Sequence, residues 1–189
     1  AYRACYQAKE KGDARAQGCT KPDTGSEFCN WDKPGKDDHP INCVDLAQAE
    51  GFCRFLGLRV PNETEWEYAA RGGAAQRRYP WGDDDPKPTD TRLCRNRWDS
   101  KKGTCPVQGP DQRKGNAFQL ADMAGNVYEW TTSPYCEDYT SSCKASRRVV
   151  RGGSWAFYNP SYVRGAFRYD LAPGGRFNSL GFRCAGLSK

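Results

Sequence analysis

The spacing of apolar side chains predicts a helix over residues 43–57, CVDLAQAEGFCRFLG. Apolar residues recur there at helical spacing, at Val44, Ala47, Phe52 and Phe55. Gly57 follows the last of them and is a suitable C-cap, because glycine readily adopts a left-handed backbone. A second helical pattern occupies residues 1–10 and brings Tyr2, Cys5 and Tyr6 onto neighbouring faces.

A third helix is predicted within RVPNETEWEYAARGG. Asn62 is its expected N-cap, and Glu65 lies three residues later, where it completes a capping box. Gly72 and Gly73 end the helix, since two glycines in succession do not continue a helical run.

The rest of the chain is expected to form loops and short strands. Residues 11–42 and 79–117 are polar and rich in turn residues, as in PWGDDDPKP and GPDQRKGN. Residues 118–133 predict a tight loop that leads into a short strand, and residues 148–155 and 180–185 predict two more strands. With 20 Gly and 12 Pro, the sequence indicates an α+β fold with little regular secondary structure.

Ten cysteines indicate a disulfide-rich protein. Their even number, the absence of a CxxC pair and the single histidine, His39, favour five disulfides over a zinc site. The sequence does not fix the connectivity, but proximity suggests Cys5–Cys19, Cys29–Cys43, Cys94–Cys105 and Cys136–Cys143, which leaves Cys53 and Cys184. Disulfides imply an oxidising compartment, so we expect a secreted, periplasmic or cell-surface protein.

The charge is unevenly distributed. The net charge is +6, yet residues 144–189 hold nine basic residues and one acid, Asp170, and so carry +8. Such a segment could attract nucleic acid or acidic glycans, but arginines in structural ion pairs are the favoured interpretation, and nucleic-acid binding is not expected in an oxidising compartment. No run of 18 apolar residues occurs, so membrane insertion is not expected.

Five motifs in order resemble the formylglycine-generating enzyme family, also called the sulfatase-modifying-factor family. They are HPINCVDLAQAEGFCRFLGLRVPNETEWEYAARGG, YPWGDD, LADMAGNVYEW, VVRGGSW and LGFRCA, and they cover most of the chain from residue 39 onwards. The resemblance implies a variant of the C-type-lectin-like fold. It also implies a disulfide between Cys53 and Cys184, the pair that the local pairing leaves over.

The same resemblance implies a single domain over residues 1–189. Members of the family usually have two or three strands before the helix at residues 1–10, and this sequence lacks them. The sequence also has neither a starting Met nor a signal peptide, so we expect a processed piece, part of a larger polypeptide and of bacterial type. Residues 11–42 are expected to form an insertion loop held by disulfides.

The catalytic chemistry of the family is not expected here. The enzyme uses copper held by two cysteines that lie shortly after the GGS-aromatic motif, and copper(I) prefers such thiolate ligands. Residues 156–163, AFYNPSYV, occupy that position and contain no cysteine. The related sulfoxide synthases hold iron with several histidines, whereas this chain has only His39. We therefore expect neither copper nor iron.

Calcium is the cofactor that the resemblance implies. The side chains of Asp122 and Glu129 and the carbonyls of Gly125 and Val127 would supply hard oxygen ligands. The alternative is an ion-free tight turn, with a left-handed Asn126 and with Glu129 paired with an arginine. A second calcium site of the family would use Asn96 and the Arg97 carbonyl, but its downstream acidic ligand has been lost with a shortened loop, which leaves only Asp99 nearby.

The function that the sequence favours is non-catalytic binding of a protein, peptide or glycan ligand. Aromatic and guanidinium side chains near GGSW are typical of binding surfaces. The candidate ligand-binding residues are Tyr128, Trp155, Phe157, Tyr158, Asn159, Tyr162, Arg168, Tyr169, Phe177 and Asn178. Arg164 and Arg168 could instead form structural ion pairs.

Two further hypotheses remain open. Variable proteins of diversity-generating retroelements share the fold and end in a similar RGGSW…LGFR segment, so the chain could be a diversified receptor-type protein. Residues 156–158 and 177–179 lie where such proteins vary. The alternative function is an oxidoreductase-like enzyme with altered chemistry in a pocket lined by Tyr128, Ser154, Trp155 and Arg168, although Ser154 has no histidine partner in the sequence nearby.

Overall fold

The computed structural model describes residues 1–87, 93–94, 103–107, 116–137, 143–156 and 159–186. Within these ranges, the helices are α1 (Tyr2–Glu10), α2 (Leu46–Phe55) and α3 (Glu63–Ala70). The strands are β1 (Tyr128–Tyr135), β2 (Lys144–Arg151), β3 (Tyr169–Leu171) and β4 (Leu180–Gly181). Short 3₁₀ turns occur at Ala14–Ala16, Gly73–Ala75 and Pro160–Val163. The α+β class with sparse regular structure is confirmed.

The helices form close to their predicted positions. α3 begins after Asn62, whose side chain accepts a hydrogen bond from the Glu65 amide in the predicted capping box. α2 begins at Leu46, three residues later than predicted, because Asp45 caps it and Cys43 adopts a left-handed φ of 59°. A helical hydrogen-bond ladder cannot include a residue in that conformation.

The four strands form one sheet in the order β3-β2-β1-β4. β1 pairs antiparallel with β2 and parallel with β4, and β2 pairs antiparallel with β3. β2 begins earlier than predicted and ends at Arg151, since Gly152 and Gly153 follow with φ values of 94° and 72°. β4 is only two residues long, and β3 was not predicted, because three residues are too few to show an alternating pattern.

The main core lies between α1, α2 and the sheet, and aromatic side chains fill much of it. Trp130 of β1 is fully buried, and its indole N–H donates to the Val44 carbonyl just before α2. Tyr2 of α1 stacks on Phe52 of α2, with ring centroids 5.3 Å apart. The large aromatic side chains thus form a compact core although few residues are apolar.

All ten cysteines are paired, in five disulfides: Cys5–Cys19, Cys29–Cys43, Cys53–Cys184, Cys94–Cys105 and Cys136–Cys143. These are the pairs suggested from the sequence. Cys53–Cys184 joins α2 to the segment that follows β4 and closes a loop across 131 residues. Such a long loop is where a disulfide restricts the unfolded chain most.

Residues 11–42 are held against the domain by two of these disulfides and by close backbone contact with α2. At the crossing, Gly18 of the loop meets Gly51 of the helix, and a Cβ on Gly51 would lie 2.4 Å from the Gly18 Cα. Only glycine fits there, since the obstructing atoms are backbone. No helix among the described residues is both long and apolar enough to cross a bilayer.

This contact predicts that Gly51→Ala destabilises the fold. Overpacking against backbone costs about 1–3 kcal/mol, more than the roughly 0.5–1 kcal/mol of helix propensity that alanine gains over glycine. Gly174→Ala is the matched control, because nothing lies within 4 Å of a Cβ at that position. Thermal unfolding should show a lower Tm for Gly51→Ala alone; equal Tm values for the two variants would contradict this prediction.

Candidate functional site

The candidate site begins where the chain leaves β2 at Arg151. Gly152 and Gly153 turn the backbone, and a Cβ on Gly153 would lie 2.8 Å from the Tyr162 carbonyl oxygen. A Cβ on Gly152 would lie 3.1 Å from the indole ring of Trp66. The two glycines therefore let the backbone pass close to Trp66 of α3 and to the 3₁₀ turn of residues 160–163.

Arg151 anchors the backbone of residues 165–167 from the interior of the protein. Its side chain is completely buried, and its guanidinium donates to the carbonyls of Gly165, Ala166 and Phe167 at 2.8, 3.1 and 2.6 Å. The same group donates to Glu67 Oε2 of α3 at 2.6 Å. One guanidinium thus joins β2, α3 and the loop that leads into β3.

The charged chain continues from Arg151 through α3 to Arg168. Glu63 lies 3.6 Å from the Arg151 guanidinium and accepts two hydrogen bonds from Arg168, at 2.5 and 2.9 Å. Arg168 also donates to the Cys136 carbonyl, and only 12% of its side chain is exposed. The structure therefore places Arg168, a candidate ligand contact, in the alternative role of a structural ion pair.

Most of the basic carboxyl-terminal segment is used in the same way. Of the basic side chains of this segment that the structure describes, five pair with a carboxylate: Arg147–Asp170, Arg151–Glu67, Arg168–Glu63, Arg176–Asp45 and Arg183–Glu129. Asp45 also caps α2, so its pair with Arg176 ties residues 172–178 to that helix. Four of these carboxylates lie outside residues 144–189, so about half of the segment's charge of +8 is compensated by these pairs.

The predicted ligand-binding aromatics divide into a buried and an exposed set. Tyr128 and Trp155 are buried: Tyr128 stacks on Tyr169 at 5.8 Å, and Trp155 packs against Phe28 at 5.1 Å. The Trp155 indole N–H donates to the Asn178 carbonyl at 3.2 Å. These two residues support the surface from beneath instead of facing a ligand.

The exposed set consists of Asn159, Tyr169 and Phe177, while Tyr162 and Asn178 are half-buried. Tyr169 and Phe177 are 47% and 49% exposed, which is unusual for large aromatic side chains. Asn159 caps the 3₁₀ turn of residues 160–163. We call Asn159, Tyr162, Tyr169, Phe177 and Asn178 the aromatic surface. Phe157 and Tyr158 lie outside the described residues.

Sequence reasoning missed the contribution of residues 26–43 to this site. Asn42 is completely buried and donates to the carbonyls of Phe28 and Asn178, while its own carbonyl accepts from the Asn30 amide. Ser26 accepts from the Asn178 side chain at 3.0 Å. The loop of residues 11–42 therefore borders the aromatic surface, and Asn42 in the HPINC motif was the sequence feature that could have indicated this.

The pocket proposed for an altered enzyme lacks an activated group. Burial raises the pKa of Tyr128 well above its ordinary value, and the nearby Tyr162 and Tyr169 add to the rise, so the phenol stays protonated at neutral pH. Ser154 is buried, and its hydroxyl accepts from the Ala156 amide at 3.4 Å. The only histidine, His39, instead bonds Thr104 at 2.8 Å.

The predicted calcium loop brings Asp122 and Glu129 to one cavity of about 510 Å³, which Arg183 also lines. Glu129 accepts from the Trp66 indole and twice from Arg183, at 2.6, 2.6 and 2.7 Å. Asn126 is left-handed, with φ of 60°. The structure thus contains the features of the ion-free alternative. The second site, with Asn96 and Arg97 and with Asp99 nearby, lies outside the described residues.

Sparse helices, a short mixed sheet, five disulfides and the glycine turn after β2 define a domain of the formylglycine-generating-enzyme type. Residues 1–187 match the sulfatase-modifying factor enzyme 1-like domain, and the chain belongs to this family. Residues 156–163 of this chain contain no cysteine.

Several relatives are similar over most of the chain. The formylglycine-generating enzyme of Streptomyces coelicolor is 35% identical, covering 84% of this chain and 56% of the relative. The inactive C-alpha-formylglycine-generating enzyme 2 of Bos taurus is 35% identical, and the match covers 78% of this chain and 50% of the relative. The serine/threonine-protein kinase pkn1 of Chlamydia caviae is 37% identical, with 81% and 25% covered. The chain thus spans about half the length of the first relatives, or less.

Two solved structures share the fold. PvdO from Pseudomonas aeruginosa superposes with a TM-score of 0.61 at 29% identity, covering 77% of this chain and 60% of that one. Variable protein 1 of Treponema denticola superposes with a TM-score of 0.59 at 23% identity, covering 86% of this chain and 73% of that one.

The buried guanidinium predicts a large effect of Arg151→Gln on stability. Removing one member of a buried ion pair leaves the other uncompensated and costs about 3–5 kcal/mol. Urea unfolding should show this loss, and Arg151→Lys should not restore stability, because an ammonium cannot reach the three carbonyls and Glu67 together.

Arg147→Gln is the control on the same strand. Its ion pair with Asp170 is 40% exposed on the arginine side, so its removal should cost only about 0.2–1 kcal/mol. Equal losses for the Arg147 and Arg151 variants would show that Arg151 is not a special anchor.

Proposed function

We propose that the chain is a non-catalytic binding domain that uses the aromatic surface to hold a protein, peptide or glycan ligand. The observation that carries this proposal is the segment that follows the glycine turn. It contains no thiol where the copper enzymes need two, and all ten cysteines are in disulfides. Within the described part of this segment Asn159 is exposed and Tyr162 is half-buried, and Tyr169 and Phe177 are exposed further along the chain.

The backbone beneath the exposed aromatics is well anchored, as a binding surface requires. The Phe177 carbonyl accepts from the amides of Cys43 and Leu180, at 3.1 and 3.0 Å. Arg151 donates to the carbonyls of Ala166 and Phe167, which lie just before Arg168 and Tyr169 in the chain. Exposed aromatic side chains on a fixed backbone lose little conformational freedom on binding and are typical energetic centres of interfaces.

The relatives support a role without catalysis. One is named an inactive formylglycine-generating enzyme, and a variable protein has the same fold. In the chlamydial kinase the similar region is a quarter of the chain, which supports our proposal that this domain is part of a larger polypeptide. The disulfides favour a secreted, periplasmic or cell-surface location. A diversified receptor-type protein would vary residues 156–158 and 177–179.

Removing an exposed aromatic from this surface should weaken binding strongly. Screening the disulfide-bonded protein on glycan and peptide arrays would supply a ligand, whose affinity is then measured by calorimetry. Phe177→Ala and Tyr169→Ala should each weaken it about 30-fold, the loss expected for a central anchor of roughly 2 kcal/mol. Tyr68→Ala is the matched control, since Tyr68 is 56% exposed on α3.

Two results would contradict the proposal. One is an equal loss of affinity in the Tyr68 variant, which would show that binding is not specific to the aromatic surface. The other is oxidation of a cysteine peptide to formylglycine by the protein after copper loading, which would show that the enzymatic activity persists without the two thiols.

We further propose that calcium binds between Asp122 and Glu129, with the Gly125 and Val127 carbonyls. A carboxylate has about four acceptor positions, and Glu129 uses three of them for Trp66 and Arg183. One position on Oε1 remains for a cation, so the residues are compatible with calcium without loss of the ion pair. The bound ion would supply positive charge that stabilises the turn.

Calcium should therefore raise the thermal stability of protein stripped with EDTA. Saturation at a hundred times the Kd corresponds to about 2.7 kcal/mol, and magnesium should have a smaller effect, because it demands a more regular oxygen shell. Asp122→Asn should abolish the shift, whereas Asp83→Asn, on an exposed turn, should retain it. An unchanged Tm with calcium would show that the ion-free turn is the native state.

A further inference from the structure

A second cavity, of about 680 Å³, opens between α1, residues 30–41 and the end of α2. Four aromatic side chains line it: Tyr2, Trp31, Phe52 and Phe182. Their rings pack on one another, since the Phe52 ring lies 5.3 Å from that of Tyr2 and 5.5 Å from that of Phe182. All four belong to the main core or pack against it, so the core holds these walls in place. Cavities of this size with preformed apolar walls are typical of sites for small organic ligands.

The opening of the cavity is also apolar. Leu56, which ends α2, and Val107 both line the cavity, yet they are 48% and 40% exposed. A molecule seated in the cavity would cover part of both side chains and remove apolar surface from water, which is favourable. The apolar contact available to a ligand therefore extends from the aromatic walls to the opening.

The uncharged polar side chains that line the cavity already have partners within the protein. The Asn30 amide group donates to the Pro40 carbonyl and to Thr104 Oγ1, at 2.7 and 2.9 Å. His39 Nδ1 lies 2.8 Å from the same Thr104 hydroxyl. Polar groups bonded in this way gain little from a ligand, because a new hydrogen bond would only replace an existing one. Apolar contact is thus the main interaction that these walls offer.

The charges around the cavity cancel. The charged side chains that line it are Arg3, Asp32, Lys36, Asp37 and Arg183, and together with Glu129, the partner of Arg183, they sum to zero. Arg3 is paired with Asp32 at 2.6 Å, and Arg183 with Glu129 at 2.6 Å. An ionic ligand would lose hydration here without meeting a net opposite charge, which is unfavourable. The charge distribution therefore favours a neutral ligand over an anion or a cation.

We propose that this cavity binds a neutral, largely apolar small molecule with an aromatic body. The body would pack against the rings of Tyr2, Trp31, Phe52 and Phe182, since aromatic rings in contact gain more than their buried area alone provides. It would also cover the exposed parts of Leu56 and Val107. The five residues of the aromatic surface, all of them described by the structure, do not line this cavity, so the site is independent of the proposed function.

Three probes with the same naphthalene body separate the effect of charge from that of shape. They are neutral 2-(naphthalen-2-yl)ethanol, anionic naphthalene-2-acetate and cationic 2-(naphthalen-2-yl)ethylammonium. Binding to the disulfide-bonded protein is followed through the methyl resonances of Leu56 and Val107 in ¹H–¹³C NMR spectra, identified by their loss in variants at the two positions. The alcohol should shift these resonances saturably and bind about tenfold more tightly than either ion, because each ion must lose hydration without a compensating charge.

Three variants test whether the alcohol occupies this cavity. Leu56→Asn and Val107→Thr place polar groups of similar size at the opening, and each should weaken binding of the alcohol about fivefold, as expected when roughly 40 Å² of apolar contact is lost. Leu58→Asn is the matched control, because Leu58 is also exposed but does not line the cavity, and its affinity should equal that of the native protein. Methyl resonances that the alcohol leaves unmoved, an ion that binds as tightly as the alcohol, or equal losses in the Leu56 and Leu58 variants would overturn the proposal.

Discussion

The buried guanidinium of Arg151 is the interaction on which the architecture of the site depends. It neutralises Glu67 and, more distantly, Glu63, while three of its hydrogen bonds fix the carbonyls of residues 165–167. A buried cation requires such partners, because desolvation of an unpaired charge is very unfavourable. The loop that leads into β3 therefore has one favourable position, close against α3.

The positions of the exposed Tyr169 and Phe177 depend on this anchored backbone and on a second ion pair. Tyr169 begins β3 immediately after the anchored loop, and Phe177 projects from a segment tied to α2 by the Arg176–Asp45 ion pair. A surface held in this way is suited to binding, since the fold has already ordered it.

Local signals in the sequence predicted much of the fold. The capping box at Asn62 fixed the start of α3, and chain proximity identified four short disulfides. Burial at the site could not be predicted in this way. Glu63, the partner of Arg168, is 105 residues distant in sequence, and Asn42 reaches Asn178 across 136 residues. Only the folded chain shows that Arg168 is an internal ion pair and that Tyr128 and Trp155 support the surface from below.

Hydrogen–deuterium exchange over residues 160–171 tests most directly whether the buried ion network orders the binding segment. The amides of Gly165 and Phe167, which donate to the carbonyls of Arg78 and Arg164, should exchange slowly in the native protein. In Glu67→Gln, which weakens the hold on Arg151, they should exchange much faster while those of α2 are unchanged. Rapid exchange in the native protein, or the same slow exchange in the variant, would contradict the anchoring role of Arg151.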